Sequence, residues 1–334
     1  MTTTGAVDAV HAVGRALDAT TWRAEAAAHA ERADALTVGR RERRARGERH
    51  AVEDFLFEYY PATPAQLRRW HPGAGLRLLP DPATTDPATT GPAVPDGRAP
   101  NAAWRWYRTD PGGSVTLDVA ALLADRGSTV RFVRELLAAT ASRPAATGCL
   151  GLHEWAMVYR ERAGEHRHDL PLRLGEAATD EVVERHRIRC THIDAFRFFT
   201  PDAVARNTLR PTRETQAAME QPGCPHAAMD CYKWALKLGP VVPGDLLLDC
   251  FELAAEIRRT DMQASPYDVS AYGLDAVAIE TPAGKAEYVR RQRDYAVRSN
   301  ALRVRLIEVC DSARRPGGRG AATRAGAPPA PVAG

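Results

Sequence analysis

Asp245-Leu246-Leu247-Leu248-Asp249-Cys250-Phe251-Glu252-Leu253-Ala254-Ala255-Glu256-Ile257-Arg258-Arg259-Thr260 is the stretch that settles the fold class. Asp249, Glu252 and Glu256 recur at i, i+3 and i+7, which puts three carboxylates on one side of a helix whose other side is Leu and Ile. A solvated face is the ordinary reading of such a stripe. Three like charges in a row also raise one another's proton affinity, which suits a carboxyl group to acid or base work. The same periodicity predicts helices from His226 to Leu238, Leu246 to Thr260 and Ala283 to Asp311. Gly239-Pro240, Pro243-Gly244 and Ser265-Pro266 punctuate them.

Working outward, residues from Ala6 to about Arg46 also read as helix, being rich in Ala, Leu, Glu and Arg without proline. Phe55-Leu56-Phe57 with Tyr59 and Tyr60 is apolar enough to be buried, and Pro61 and Pro64 end that run. Ser128 is placed to cap a helix through Thr140, and Thr179, followed by Asp180 and Glu181, to cap one running toward Phe199. Thr200-Pro201-Asp202 is a further helix start, with proline at the tolerated first position. Trp104-Arg105-Trp106-Tyr107 and Ser114-Val115-Thr116-Leu117 alternate with the strand period around Asp110-Pro111-Gly112-Gly113, which predicts a β-hairpin. Leu76 to Leu79 and Ala276 to Glu280 are the other β candidates. The expected fold is mostly α: a multi-helical single domain over 1–312 with a small antiparallel β-hairpin. The near repeat DPATTDPATT marks a flexible insertion loop at 80–101, and the Gly, Ala, Pro and Arg-rich tail at 313–334 is expected to be disordered.

Composition narrows the function classes. A hydrophobic content of 44% supports a substantial core, and no apolar run approaches the roughly 20 residues of a membrane span. Met1 to Val10 lacks the features of a secretory signal, so a cytoplasmic location is expected. The six cysteines are scattered without a CxxC pair, so free thiols are expected rather than disulfides. Net charge is +3, and lysine occurs only at 233, 237 and 285. Nearly all positive charge is therefore arginine, a planar bidentate donor to anions. Its densest cluster is Arg40, Arg41, Arg43, Arg44, Arg46 and Arg49, interspersed with Glu42 and Glu48. It reads either as a solvated helix face or as a phosphate-binding patch.

Four segments concentrate titratable and aromatic groups. In Gly151-Leu152-His153-Glu154-Trp155-Ala156-Met157-Val158-Tyr159-Arg160, Trp155 and Tyr159 share a helical face, either as core or as a stacking surface for a planar ligand. In the segment from His186 to Phe199, an unbroken helix would align His186, Arg189 and Ile193 along one stripe, and His192, Phe196 and Phe199 along another. In the segment from Glu220 to Trp234, a tight loop becomes a helix on which His226 and Asp230, four apart, can share a proton or a water. Cys224, His226 and Asp230, with a distant histidine such as His192, also have the donor chemistry of a metal site, and a plain capped helix start is the third reading. The fourth segment is the carboxylate stripe. Glycine-rich phosphate loops, GxGxxG, GxSxG, HExxH and paired CxxC motifs do not occur.

HAVEDFLFEYYPATPAQLRRWHPG from His50, GCLGLHEWAMVYR from Gly148, HRIRCTHIDAFRFFTP from His186, ETQAAMEQPGCPHAAMDCYKWALKL from Glu214 and DLLLDCFELAAEIRRTDMQASPYD from Asp245 together resemble a bacterial family commonly labelled 3-methyladenine DNA glycosylase. The likeness runs from about His29 to Asp311. No helix-hairpin-helix is read in this chain, so roles follow from the chemistry the resemblance implies. The resemblance implies alkylated DNA as substrate, whose damaged base is rotated out, stacked on aromatic rings and cut from its sugar without a cofactor. Trp155, Tyr159, Tyr232 and Trp234 are the stacking candidates, and Arg187, Arg189 and Arg197 the phosphate ligands. His153 and His192 complete the substrate-binding set. Asp230 with His226 beside it takes the catalytic carboxylate role, with Glu154 and Asp249 as further candidates. Two alternatives stand beside this. One is a metal-dependent helical enzyme acting on a small molecule, its divalent ion held by His186, His192, His226 and Asp230, with His153 and Asp249 as further donors. The other is a noncatalytic nucleic-acid binding protein using Arg40 to Arg49 and the tail. No membrane and no obligate protein partner is expected.

Overall fold

The computed structural model describes residues 15–60, 62–82, 97–161, 164, 166 and 168–315. It is mostly α, as the periodicities require. Four long helices carry the main core: α4 (Val119–Ala141), α10 (Pro225–Leu238), α11 (Gly244–Gln263) and α12 (Pro282–Arg314), with α1 (Ala19–Ala45) packed on α11. Leu122, Val130 and Val133 of α4, Met229 and Leu238 of α10, Leu253 and Ile257 of α11 and Leu306 of α12 are all nearly inaccessible and meet in one cluster. Each such side chain contributes about 1.5–3 kcal/mol through burial. The outward stripe of α11 is ion-paired: Arg32 meets Asp249 at 2.7 Å and Glu252 at 2.8 Å, Arg298 meets Glu256 at 2.6 Å, and Arg305 meets Asp249 at 2.5 Å. These carboxylates take the solvated-face reading, which removes Asp249 from the chemistry expected of it.

Several boundaries differ from expectation. A strand, β1 (Arg15–Leu17), stands inside the run read as helix, and α1 begins only after Asp18, whose carboxylate accepts from Thr21 N at 2.8 Å. Residues 6–14 of that reading lie outside the described residues. Helix α4 starts at Val119 under an Asp118 cap, nine positions before Ser128, because Leu122 and the first turn are already buried against the core. The hairpin forms from β3 (Tyr107–Thr109) and β4 (Val115–Leu117). Its first strand starts late because a 3-10 turn at Pro100–Ala103 and a left-handed Trp106 (φ 65°) precede it. It belongs to a four-stranded sheet of order β1-β2-β4-β3, with β2 (Leu76–Leu78) parallel to β1 and antiparallel to β4. No strand forms from Ala276 to Glu280.

The helix expected to reach Phe199 is the largest departure. It is α6 (Glu176–Arg185), and it stops because His186 is extended, Ile188 bridges Asn207, and the Asn207 side chain accepts from Cys190 N at 2.7 Å. The stripes predicted for an unbroken helix therefore do not exist. A short α7 (Ile193–Phe196) follows, then α8 (Pro201–Val204) capped by Thr200. With α2 (Phe55–Glu58), α3 (Pro64–Leu67), α5 (Leu152–Ala156) and α9 (Gln216–Met219), these short elements wrap the long helices. Of the expected insertion loop, residues 83–96 lie outside the described residues, as does the tail from 316, while its two ends meet where Asp81 N donates to Gly97 O at 2.9 Å. Among the described residues no helix is long and apolar enough to cross a membrane.

Candidate metal centre

Three short helices and two long ones converge on a buried polar pocket. Helix α5 enters through Gly151, left-handed at φ 72°, where a Cβ would stand 3.2 Å from Tyr288 Oη, so the position calls for glycine. The turn that follows points His153 and Glu154 inward, both nearly inaccessible. Helix α10 begins with Pro225 at its first position and carries His226 and, one turn on, Asp230. Asp261 comes from the last turns of α11, on the buried side with Ile257. His192 stands at the N-terminus of α7, and Glu220 at the end of α9.

These residues fall into two adjacent groups: His153, Glu154, His226 and Asp261 in one, His192, Glu220 and Asp230 in the other. Within each group the donor atoms lie within 4.8 Å of one another. His226 links them, its ring centroid 4.4 Å from that of His153 and 5.6 Å from that of His192. In the first group His153 Nε2 lies 3.0 Å from Asp261 Oδ2 and its Nδ1 lies 3.5 Å from Cys149 Sγ, while Tyr288 donates to Asp261 Oδ1 at 3.1 Å. Glu154 faces the Arg258 guanidinium at 3.4 Å. In the second, His192 Nε2 sits 3.2 Å from Glu220 Oε1 and 3.3 Å from Asp230 Oδ2. Gln216 donates to Glu220 at 2.6 Å, and Asp230 accepts from Tyr60 at 3.0 Å and from Lys233 at 2.7 Å. Lys233 also reaches Asp194 at 2.7 Å, which Arg213 pairs from outside.

The electrostatics follow from burial set against these partners. Burial alone would raise Asp261 and Asp230, but His153 beside the first, and Lys233 and His192 beside the second, hold both carboxyls below their usual range. Burial would lower His153 and His192, yet their carboxylates outweigh it and both imidazoles are pushed up. Each group thus has a field able to hold a positive charge in the interior. His226 goes the other way: burial, reinforced by His153, pushes it well down, so its ring is neutral. Its Nδ1 and both nitrogens of His192 have no hydrogen-bond partner among the described residues. A neutral imidazole with an unengaged lone pair, set among carboxylates, is a metal-ligand donor. The donor set fits a divalent cation.

The expected site residues divide accordingly. His153, Glu154, His192, His226 and Asp230 come together. Asp249 stays on the outer stripe, and His186 belongs to neither group, since its Nδ1 contacts Val182 O at 2.6 Å. The rings expected to form a stacking wall take the core reading instead. Trp155 is fully buried and donates to Ala264 O at 2.8 Å, Tyr159 is buried and donates to Glu184 at 2.8 Å, and Tyr232 packs edge-on against Tyr60 and Phe251. Trp234 packs on Phe132 with Lys233 over its face. Arg187 and Arg189 are exposed, and Arg197 lies 3.5 Å from Asp194. Asp261, Glu220, Lys233, Tyr60 and Tyr288 were not among the site residues expected from the sequence. Asp261 had a legible signal: it sits four residues after Ile257, an acid on the apolar side of an amphipathic helix.

A cleft of about 330 Å³ opens beside α1, α2 and α11, lined in part by Arg40, Arg43, Phe57, Phe251, Arg258 and Arg259. Arg258 belongs to both places: it lines the cleft, lies 4.0 Å over the Phe55 ring and faces Glu154 of the first group. The chain matches no family model, no curated protein and no solved structure. The geometry of these two groups is therefore what bears on function.

Proposed function

We propose that this protein is a metal-dependent helical enzyme acting on a small molecule, with a divalent cation held by His153, Glu154, His226 and Asp261. The observation that carries this reading is a buried set of two imidazoles and two carboxylates in which the neutral His226 offers a nitrogen with no protein partner. Nitrogen and oxygen donors without thiolate suit iron, manganese or zinc. The cation would supply Lewis-acid polarisation or a water made nucleophilic near neutral pH. The chain's own groups prepare the ligands. Cys149 engages His153 Nδ1 and so fixes Nε2 toward Asp261, and Tyr288 orients the far oxygen of Asp261. Arg258, between the cleft and Glu154, is placed to meet the anionic part of an incoming molecule.

Elemental analysis of the full chain purified without chelator tests this. Near-stoichiometric iron, zinc or manganese that is lost in a His226→Ala variant supports it; a chain that neither carries nor takes up these ions overturns it.

A second reading is base excision from alkylated DNA, in keeping with the resemblance above. Asp230, held ionised in the interior, has the charge such a reaction needs opposite a developing sugar cation. It stands second because Trp155, Tyr159 and Tyr232 are committed to packing and Asp230 faces His192 and Lys233 rather than the cleft. Release of free base from methylated duplex DNA, abolished by Asp230→Asn with binding spared, would promote it; unchanged turnover in that variant would remove Asp230 from the role.

A further inference from the structure

We propose that His192, Glu220 and Asp230 hold a second divalent cation, so that the protein contains a pair of metal sites with His226 between them. This rests on the reading of the first group as a metal site, and goes beyond it in assigning the second group the same chemistry.

Three observations carry it. The donor atoms of these three residues lie within 4.8 Å of one another, and all three side chains are nearly inaccessible. Neither nitrogen of His192 has a hydrogen-bond partner among the described residues, although the ring is fully buried. Its Nε2 points between two carboxylates in ion-pair range without lining up on either, which is the disposition of a ligand aimed at a shared centre rather than of a donor bonded to one oxygen. The ring stands in the field of both carboxylates, and a divalent cation taking the place of its Nε2 proton would be met by all three side chains.

The surroundings are built as outer support for ligands. Gln216 holds Glu220 at 2.6 Å, Tyr60 holds one oxygen of Asp230 at 3.0 Å and Lys233 the other at 2.7 Å. Groups of this kind orient ligating carboxylates and tune their basicity. The charge balance also leaves room for a cation. Asp230 pairs with one ammonium, Lys233, which is shared with Asp194, while the ion pair of Glu220 is with His192. One imidazole and two carboxylates leave coordination positions open, which favours a hard or borderline ion such as manganese or iron and leaves room for oxygen atoms of a substrate. His226 lies within ring contact of both His153 and His192.

The test is a count. The full chain is stripped with chelator, reloaded with manganese(II) alone, freed of loose metal by gel filtration and analysed for metal per chain. Two ions are expected in the unaltered protein and one in Glu220→Gln, a substitution that keeps the side chain's size. His192→Gln, checked for folding by circular dichroism, serves where Glu220→Gln does not fold. One ion in the unaltered protein overturns the second site while leaving the first. No ion overturns both. Two ions retained in a folded Glu220→Gln or His192→Gln variant would place the second ion elsewhere and overturn this assignment.

Discussion

His153 Nε2 lies 3.0 Å from Asp261 Oδ2 across 108 positions of sequence, and both side chains are shut off from solvent. The pair ties the short α5 to the end of α11, so a single contact joins the local turn at Gly151 to the main helical core. Removing one partner from such a pair leaves a buried charge uncompensated, which costs about 3–5 kcal/mol. Asp261→Asn is therefore expected to lower unfolding free energy by about that amount in urea titration. Asp249→Asn, whose carboxylate is 30% exposed between Arg32 and Arg305, is expected to cost about 1 kcal/mol or less. Equal losses in the two variants would contradict the assignment of Asp261 to the interior and Asp249 to the outer face.

His71 supplies a pH dependence separable from the candidate centre. Burial, with His29 and Arg69 nearby, pushes its imidazole from 6.5 down to about 4, and its Nδ1 meets Tyr107 Oη at 3.0 Å. The unfolded chain takes up a proton near pH 6.5 and the folded chain only near 4, so the unfolded state gains as pH falls through that interval. Stability should drop toward acid by up to about 1.4 kcal/mol per pH unit from this residue. His71→Gln keeps a polar partner for Tyr107 and should flatten the profile between pH 6.5 and 4. An unchanged slope would mean that His71 titrates normally in the folded protein.

Arg258 is expected to govern passage between the outer cleft and the proposed metal. Arg258→Ala removes the guanidinium between Phe55 and Glu154. A barrier lowered by about 1.4 kcal/mol would make loss of manganese to excess chelator roughly tenfold faster. Stopped-flow chelator exchange measures this, and loss at the unaltered rate would place the route elsewhere.

The long helices were legible because each buries one continuous face, as α11 does with Leu246, Leu253 and Ile257 against the main core. The 186–199 region was not, because its structure is set by a remote side chain: Asn207 bonds both the N–H and the carbonyl of Cys190, at 2.7 and 3.0 Å, and no local propensity contains that. For the site, His226 and Asp230 were readable as a four-residue pair on one helix. Of their partners only Asp261 carried a local sign, an acid on the buried side of α11, while Glu220 and Tyr60 reach the cluster only through packing. The aromatic spacing at Trp155 and Tyr159 marked burial rather than a stacking surface, and the carboxylate stripe marked an ion-paired exterior.

Two glycines allow the packing itself to be tested. Gly127 lies inside α4 with no atom within 4 Å of where a Cβ would stand, so nothing in its surroundings requires glycine. Gly127→Ala should stabilise the protein by about 0.5–1 kcal/mol through the lower entropy of the unfolded chain. Gly223 differs, since a Cβ there would stand 2.5 Å from the Ala146 carbonyl oxygen. Its own carbonyl accepts from Gln292 at 3.0 Å, and it lies three residues before His226. Backbone cannot yield as a flexible side chain does, so Gly223→Ala should cost about 1–3 kcal/mol. Because the displaced segment leads directly into α10, it should also weaken metal binding at His226. Thermal unfolding of the two variants side by side decides the matter: a Gly223→Ala protein as stable as Gly127→Ala would show that the loop before α10 does not press on residue 146.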